Sequence, residues 1–76
     1  MELKHLKYFV AVAEEQSYTK AAQRLFISQP PLSRQIQNLE NELGVQLFER
    51  GSRPVKMTEV GQFFYLHAVK LLTQAK

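Results

Sequence analysis

Apolar residues recur along this chain at helical spacing, and each apolar stretch is bounded by residues that start or stop a helix. Leu3, Leu6, Phe9, Val10 and Ala13 predict a first helix over Glu2–Glu15, with the Glu2 carboxylate in the first turn, where it suits the helix dipole. Ser17 is suited to cap a short second helix, Tyr18–Leu25, in which Ala21 and Ala22 let a neighbouring helix approach and Leu25 supplies a core contact. Phe26 and Ile27 then make a turn. From Ser28 to Leu43 the pattern is sharper. At about 100° per residue, Leu32, Ile36, Leu39 and Leu43 fall in one narrow stripe, and Pro30, Arg34, Gln37 and Asn41 fall opposite it. Ser28 is a good N-cap, and Pro30 and Pro31 are tolerated in the first turn because amides there have no partner within the helix. Gly44 ends the helix by taking a left-handed conformation.

Two short runs follow, Val45–Glu49 and Val55–Met57, around the turn Arg50-Gly51-Ser52-Arg53-Pro54; they predict a hairpin. Thr58 caps a fourth helix from Glu59 onward. Its residues Val60, Phe64, Tyr65, Ala68, Val69, Leu71, Leu72 and Ala75 sweep roughly 180°, wider than the ~100° stripe of a helix with one buried face. Val60 and Phe64 are expected to pack inward, leaving Tyr65, Ala68, Val69 and Leu72 for a partner helix. No stop signal stands at Lys76, so this helix is expected to continue in a longer chain. Two helices joined by about three residues are what a helix-turn-helix requires, although the usual turn glycine is missing. The predicted fold is mainly α, a winged helix-turn-helix with a three-helix core and a two-stranded wing over residues 1–58, then a linker or dimerisation helix over 59–76.

Composition narrows the chemistry. A chain of 76 residues makes one small domain, able to bury roughly 60% of its unfolded surface. It has no cysteine, and His5 and His67 form no ligand cluster, so no metal site is expected. It has no aspartate either, Glu14/Glu15 and Glu40/Glu42 point to different sides of a helix, and no glycine loop could cradle a phosphate. Catalysis is not expected. No apolar run approaches the ~20 residues of a membrane span, and no secretory segment is visible, which makes the cytoplasm the default. The formal charge of +3 is compatible with nucleic acid, and its placement says more. From Ser17 to Leu39 there is no carboxylate, so an anion approaching the third helix meets Lys20, Arg24, Arg34 and the amides of the first turn. Arg50, Arg53 and Lys56 cluster at the hairpin beside Glu49 alone.

The major groove of B-DNA admits one α-helix, and in this motif the N-terminal part of that helix reaches the base edges. Gln29, Pro30, Ser33, Arg34, Gln37 and Asn38 are the candidates for base reading. Arg34 suits guanine or a phosphate, Gln29 or Gln37 suits adenine, and Pro30 suits a thymine methyl. On polarity alone the same face reads as the solvated side of a core helix; the motif context turns that reading around. Thr19, Lys20, Arg24, Ser28 and Pro31 belong where the backbone is crossed, with an ordinary exposed arginine as the other reading of Arg24. Arg50 and Arg53 flank the wing tip, suited to phosphates or a narrow minor groove, and Arg50 could equally pair with Glu49. Tyr8, Phe9, Tyr18, Phe48 and Phe63 are assigned to the core. High specificity from so small a surface requires two copies on a near-palindromic duplex. The rival class is a winged-helix module that docks proteins.

The stretch SYTKAAQRLFISQPPLSRQIQNLENELGVQLFER followed by GSRPVKMTEVG resembles the N-terminal DNA-binding domain of LysR-type transcriptional regulators. The positions that carry the likeness are Ala21-Ala22, Leu25, Ser28-Gln29-Pro30, Leu32-Ser33, Ile36, Leu39-Glu40, Leu43-Gly44, Leu47-Phe48-Glu49-Arg50, Thr58 and Gly61. MELKHLKYFVAVAEEQS, QPPLSRQIQNLE and ERGSRPVK look especially like regulators of catechol and benzoate breakdown that respond to muconate. The resemblance implies sequence-specific binding of double-stranded DNA and a homodimer through the last helix. It further implies a tetramer in the intact regulator and a small-molecule inducer bound by a C-terminal domain outside this chain, with no cofactor in the domain itself.

Overall fold

The first helix is the hub of the computed structural model, which describes residues 1–74 and builds them into α1 (Leu3–Glu15), α2 (Tyr18–Leu25), α3 (Gln29–Leu43) and α4 (Glu59–Gln74). Ala75 of the predicted apolar arc and Lys76 lie outside the described residues. α1 packs against each of the other three helices. Phe9 on α1 is fully buried, its ring centroid 5.2 Å from that of Phe48 and 5.1 Å from that of Phe64. Val12, Ala21, Leu32, Ile36, Leu39, Leu47 and Ala68, each at most 1% exposed, complete the centre. Among the described residues no helix is long and apolar enough to cross a membrane.

The helix boundaries follow local chemistry. Glu2 stands one residue ahead of α1 as its N-cap, and its N–H donates to His5 Nδ1 at 3.3 Å. The Ser17 Oγ accepts from the Lys20 N–H at 3.1 Å, the expected cap of α2. At Ser28 the expected side-chain cap is absent. The reason is the proline pair: the N2 and N3 amides that a capping hydroxyl would accept from belong to Pro30 and Pro31, which carry no hydrogen. The same pair removes two of the four amide donors expected to greet an anion there. Phe26 takes the left-handed conformation that glycine usually supplies in the turn, with φ of 58°, and the residue is 93% exposed. Gly44 closes α3 at φ of 73°, as its position predicts.

The wing is narrower than a two-stranded hairpin. One antiparallel bridge, Phe48 with Met57, is its regular pairing among the described residues. The Glu49 N–H donates to the Lys56 carbonyl at 2.8 Å, but the next donors are diverted. The Val55 N–H goes to the Gln16 carbonyl at 3.0 Å and the Lys56 N–H to Ser52 Oγ at 3.0 Å, while Pro54 has no donor at all. A ladder therefore cannot extend, and the segment is pinned to the end of α1 instead.

α4 is seated by small residues. A Cβ built on Gly61 would lie 2.0 Å from the Leu47 carbonyl oxygen, so the helix reaches its place only because that atom is missing. Thr58 holds the start, its Oγ1 accepting from the Gly61 N–H at 2.9 Å and donating to the Gln46 carbonyl at 2.7 Å.

Candidate nucleic-acid interface

On α3 the two faces separate as the sequence predicts. Leu32, Ile36 and Leu39 are buried and Leu43 half-buried, whereas Pro30, Arg34, Gln37, Asn38 and Asn41 are exposed. Gln29 and Ser33 are half-buried at the leading end, joined by a hydrogen bond from Gln29 Nε2 to Ser33 Oγ at 2.7 Å. Gln37 Nε2 donates to Asn41 Oδ1 at 3.1 Å one turn further on. Each bond spans i to i+4 and holds a polar side chain along the helix surface. Ser28, Thr19 and Lys20 are exposed beside this leading end, and Pro31 is half-buried.

The wing tip is brought against that face. An open cleft of about 730 Å³ is lined from one side by Ser17, Thr19, Gln29 and Gln37 and from the other by Arg50 and Arg53. Gly51 takes φ of 71° at the tip, and the Ser52 hydroxyl donates to the Glu49 carbonyl at 2.9 Å. Among the described residues, Lys20, Arg34, Arg50, Arg53 and Lys56 are held in no ion pair, so the alternative pairing of Arg50 with Glu49 is not formed. Arg24 differs. It sits 2.8 Å from Glu14 and 3.3 Å from Glu15 across the α1–α2 contact, an exposed arginine held in surface ion pairs that the sequence reading did not anticipate.

Glu40 is the positioning residue that the sequence reading missed. The residue is buried, 7% exposed, and its carboxylate accepts the N–H groups of Leu47 at 2.7 Å and Phe48 at 3.2 Å. It thereby ties the base of the wing to the back of α3. The signal was available: Glu40 continues the four-residue spacing of Leu32 and Ile36 on the buried side. Beside it, burial first and the nearby Glu40 charge second push the Tyr18 hydroxyl up to about 12. Tyr18 packs edge-on to Phe48 at 6.2 Å and is a neutral packing group, as assigned.

α4 requires corrections. Ala68, expected to face a partner, is completely buried against the protomer's own core, since a methyl group there is what lets α4 approach α1. Val60, expected inward, is 47% exposed, because Gly61 rather than Val60 occupies the line of closest approach. Tyr65, Val69 and Leu72 are half-buried along the core, and the Tyr65 hydroxyl donates to Glu14 Oε2. Phe63, assigned to the core, is 66% exposed and stacks edge-on to His67 at 4.7 Å. Val60, Phe63, Leu66 and Leu71 are the large apolar side chains exposed on the outer surface of α4, among Gln62, His67 and Lys70. Gly61 and Ala68, seven residues apart, were the sequence signal for the buried line.

This geometry has known counterparts. The family model for the bacterial regulatory helix-turn-helix proteins of the lysR family matches residues 3–62. The chain belongs to the LysR family. This LysR-family chain is 74% identical over 73 residues to the HTH-type transcriptional regulator BenM of Acinetobacter baylyi, a match over 96% of the chain and 24% of BenM. It is 51% identical over 72 residues to the HTH-type transcriptional regulator CatR of Pseudomonas putida, covering 95% of the chain and 25% of CatR. The chain spans about a quarter of the length of these relatives. Among solved structures, the BenM DBD/benA site 1 DNA complex superposes with a TM-score of 0.97 at 72% identity, over 99% of this chain and 84% of that one. The CbnR DBD–DNA complex superposes with a TM-score of 0.94 at 48% identity, over 99% and 86% of the two chains. The mainly helical LysR winged helix-turn-helix is thus the fold of this chain, and its relatives are transcriptional regulators rather than enzymes.

Proposed function

We propose that residues 1–58 form the operator-reading domain of a LysR-type transcriptional regulator, and that the helix from residue 59 pairs two copies of it on an interrupted near-palindrome. The leading end of α3 enters the major groove with Gln29, Pro30, Ser33, Arg34, Gln37 and Asn38 toward the bases. Thr19, Lys20, Ser28 and Pro31 lie toward the sugar-phosphate backbone, and Arg50 and Arg53 carry the wing along it. Arg24 contributes through its ion pairs with Glu14 and Glu15 rather than as a free cation. The second copy packs on Val60, Phe63, Leu66 and Leu71.

The observation that carries this reading is the polar front of α3, exposed at Pro30, Arg34, Gln37 and Asn38, standing over the buried row Leu32, Ile36 and Leu39, beside a wing whose arginines are unpaired among the described residues. The close likeness to domains solved with DNA supports it. In the intact regulator the reading extends to a cytoplasmic tetrameric activator of aromatic-compound breakdown genes, whose inducer binds a domain outside this chain. Its support is the resemblance of the first helix, reading helix and wing to regulators of catechol and benzoate breakdown.

Selection from a pool of random duplexes tests the core of the proposal. Enrichment of one half-site sequence, with binding that falls steeply with log[salt], is the expected result. Replacing Arg53 with Gln should reduce that salt slope by about one unit without changing the selected sequence. Equal recovery of all sequences would refute base reading.

A further inference from the structure

A chain of polar side chains links three helices away from the DNA-facing surface. Arg24 Nη1 on α2 lies 2.8 Å from Glu14 Oε1 on α1, and the Tyr65 hydroxyl on α4 donates to Glu14 Oε2 at 2.5 Å. Glu14 therefore takes a partner from a different helix on each oxygen. α2 and α4 do not pack against one another, so this chain is a direct side-chain path between them through α1. The charges fit that arrangement. The hydrogen bond from Tyr65, ahead of the contributions of Arg24, holds the Glu14 carboxyl below its ordinary range, and the same bond raises the Tyr65 hydroxyl.

We propose that Tyr65, Glu14 and Arg24 act as positioning residues that fix the angle between the partner-facing helix α4 and the reading unit α2–α3. They would thereby select the half-site spacing that a dimer accepts. The inference rests on the DNA-reading dimer proposed above. The apolar seat of α4, Phe64 on Phe9 with Ala68 beside it, is non-directional, and the Thr58 hydrogen bonds and the Gly61 contact fix only the start of the helix. A hydrogen bond restricts direction. Because the Glu14 and Arg24 side chains are 38% and 43% exposed, the chain adds little stability, and its weight lies in geometry. Spacing is sensitive to such geometry: each added base pair displaces a half-site by about 3.4 Å and turns it by about 34° around the duplex axis.

The test places two copies of the selected half-site at spacings that differ by single base pairs. Affinity is measured for the unaltered chain, Tyr65→Phe and Glu14→Gln, alongside affinity for one isolated half-site. The unaltered chain is expected to peak at one spacing. Each substitution should flatten that peak about three-fold, with isolated half-site affinity unchanged and melting temperature held within about 2 °C. The double variant should be no flatter than Tyr65→Phe alone, since both break one path. An unchanged spacing profile in both variants overturns the inference, as does equal weakening at every spacing and on the isolated half-site. If the unaltered chain binds the half-site but prefers no spacing, the inference falls alone. If it selects no sequence, the DNA-reading proposal itself falls.

Discussion

α3 and α4 each leave one face uncovered within the protomer, and they are built on opposite rules. The outer face of α3 is polar, its side chains tied to one another in the pairs Gln29–Ser33 and Gln37–Asn41, above a buried row of Leu32, Ile36 and Leu39. On the outer face of α4 the apolar Val60, Phe63, Leu66 and Leu71 stand exposed among Gln62, His67 and Lys70, and the inner face, where Gly61, Phe64 and Ala68 meet the core, is apolar as well. Polarity orients α3; on α4 apolar residues lie on both faces, and the size of the side chain decides which of them turn inward.

The strongest way to break that contrast is to remove the small residues. Gly61→Val forces a side chain into the Leu47 carbonyl and should cost about 3 kcal/mol, read as a lowered midpoint in chemical denaturation. A similar enlargement on the exposed front of α3, Asn38→Leu, should leave the midpoint nearly unchanged. Next in size, Arg34→Ala should weaken binding to the selected duplex by about 1–3 kcal/mol and relax selectivity at one base position, with folding intact. Calorimetric titration with matched and mismatched duplexes separates those outcomes. On the apolar side, Phe63→Glu combined with Leu66→Glu should convert a dimer to a monomer in sedimentation at equal stability, whereas charges at Tyr65 or Val69 should also disturb the fold.

The smallest expected effect is one of pH. Glu14 titrates below its ordinary 4.5, so its contribution to stability is present above that value and is lost as pH falls through the lowered one. Tyr65 titrates above its ordinary 10.0, so its contribution is present below that value and is lost as pH rises through the raised one. The melting temperature of the native chain should therefore exceed that of Tyr65→Phe by about 1–2 °C between those limits and converge with it on either side.

The helices were legible because their boundaries depend on neighbours in sequence: Ser17 caps α2, Gly44 turns the chain, and the leucine row fixes the back of α3. Three features escaped because distant groups decide them. The register of α4 follows from a carbonyl at Leu47, the wing is shortened by a carbonyl at Gln16, and the carboxylate of Glu40 is claimed by amides seven and eight residues away. Arg24 lay between these cases, since its partners Glu14 and Glu15 were in plain view but their approach required the α1–α2 crossing. At Ser28 the local chemistry was itself enough to decide the matter, because prolines two and three residues on leave nothing for its hydroxyl to cap.

Those prolines carry a wider consequence. Helix ends ordinarily fray, and a frayed end must be frozen when it meets a ligand. Pro30 and Pro31 restrict the leading turn of α3 already in the unfolded chain, so the segment proposed to read the bases arrives stiff. Little disorder remains there to be quenched on docking, which favours fast discrimination between right and wrong sequence over adaptation to either.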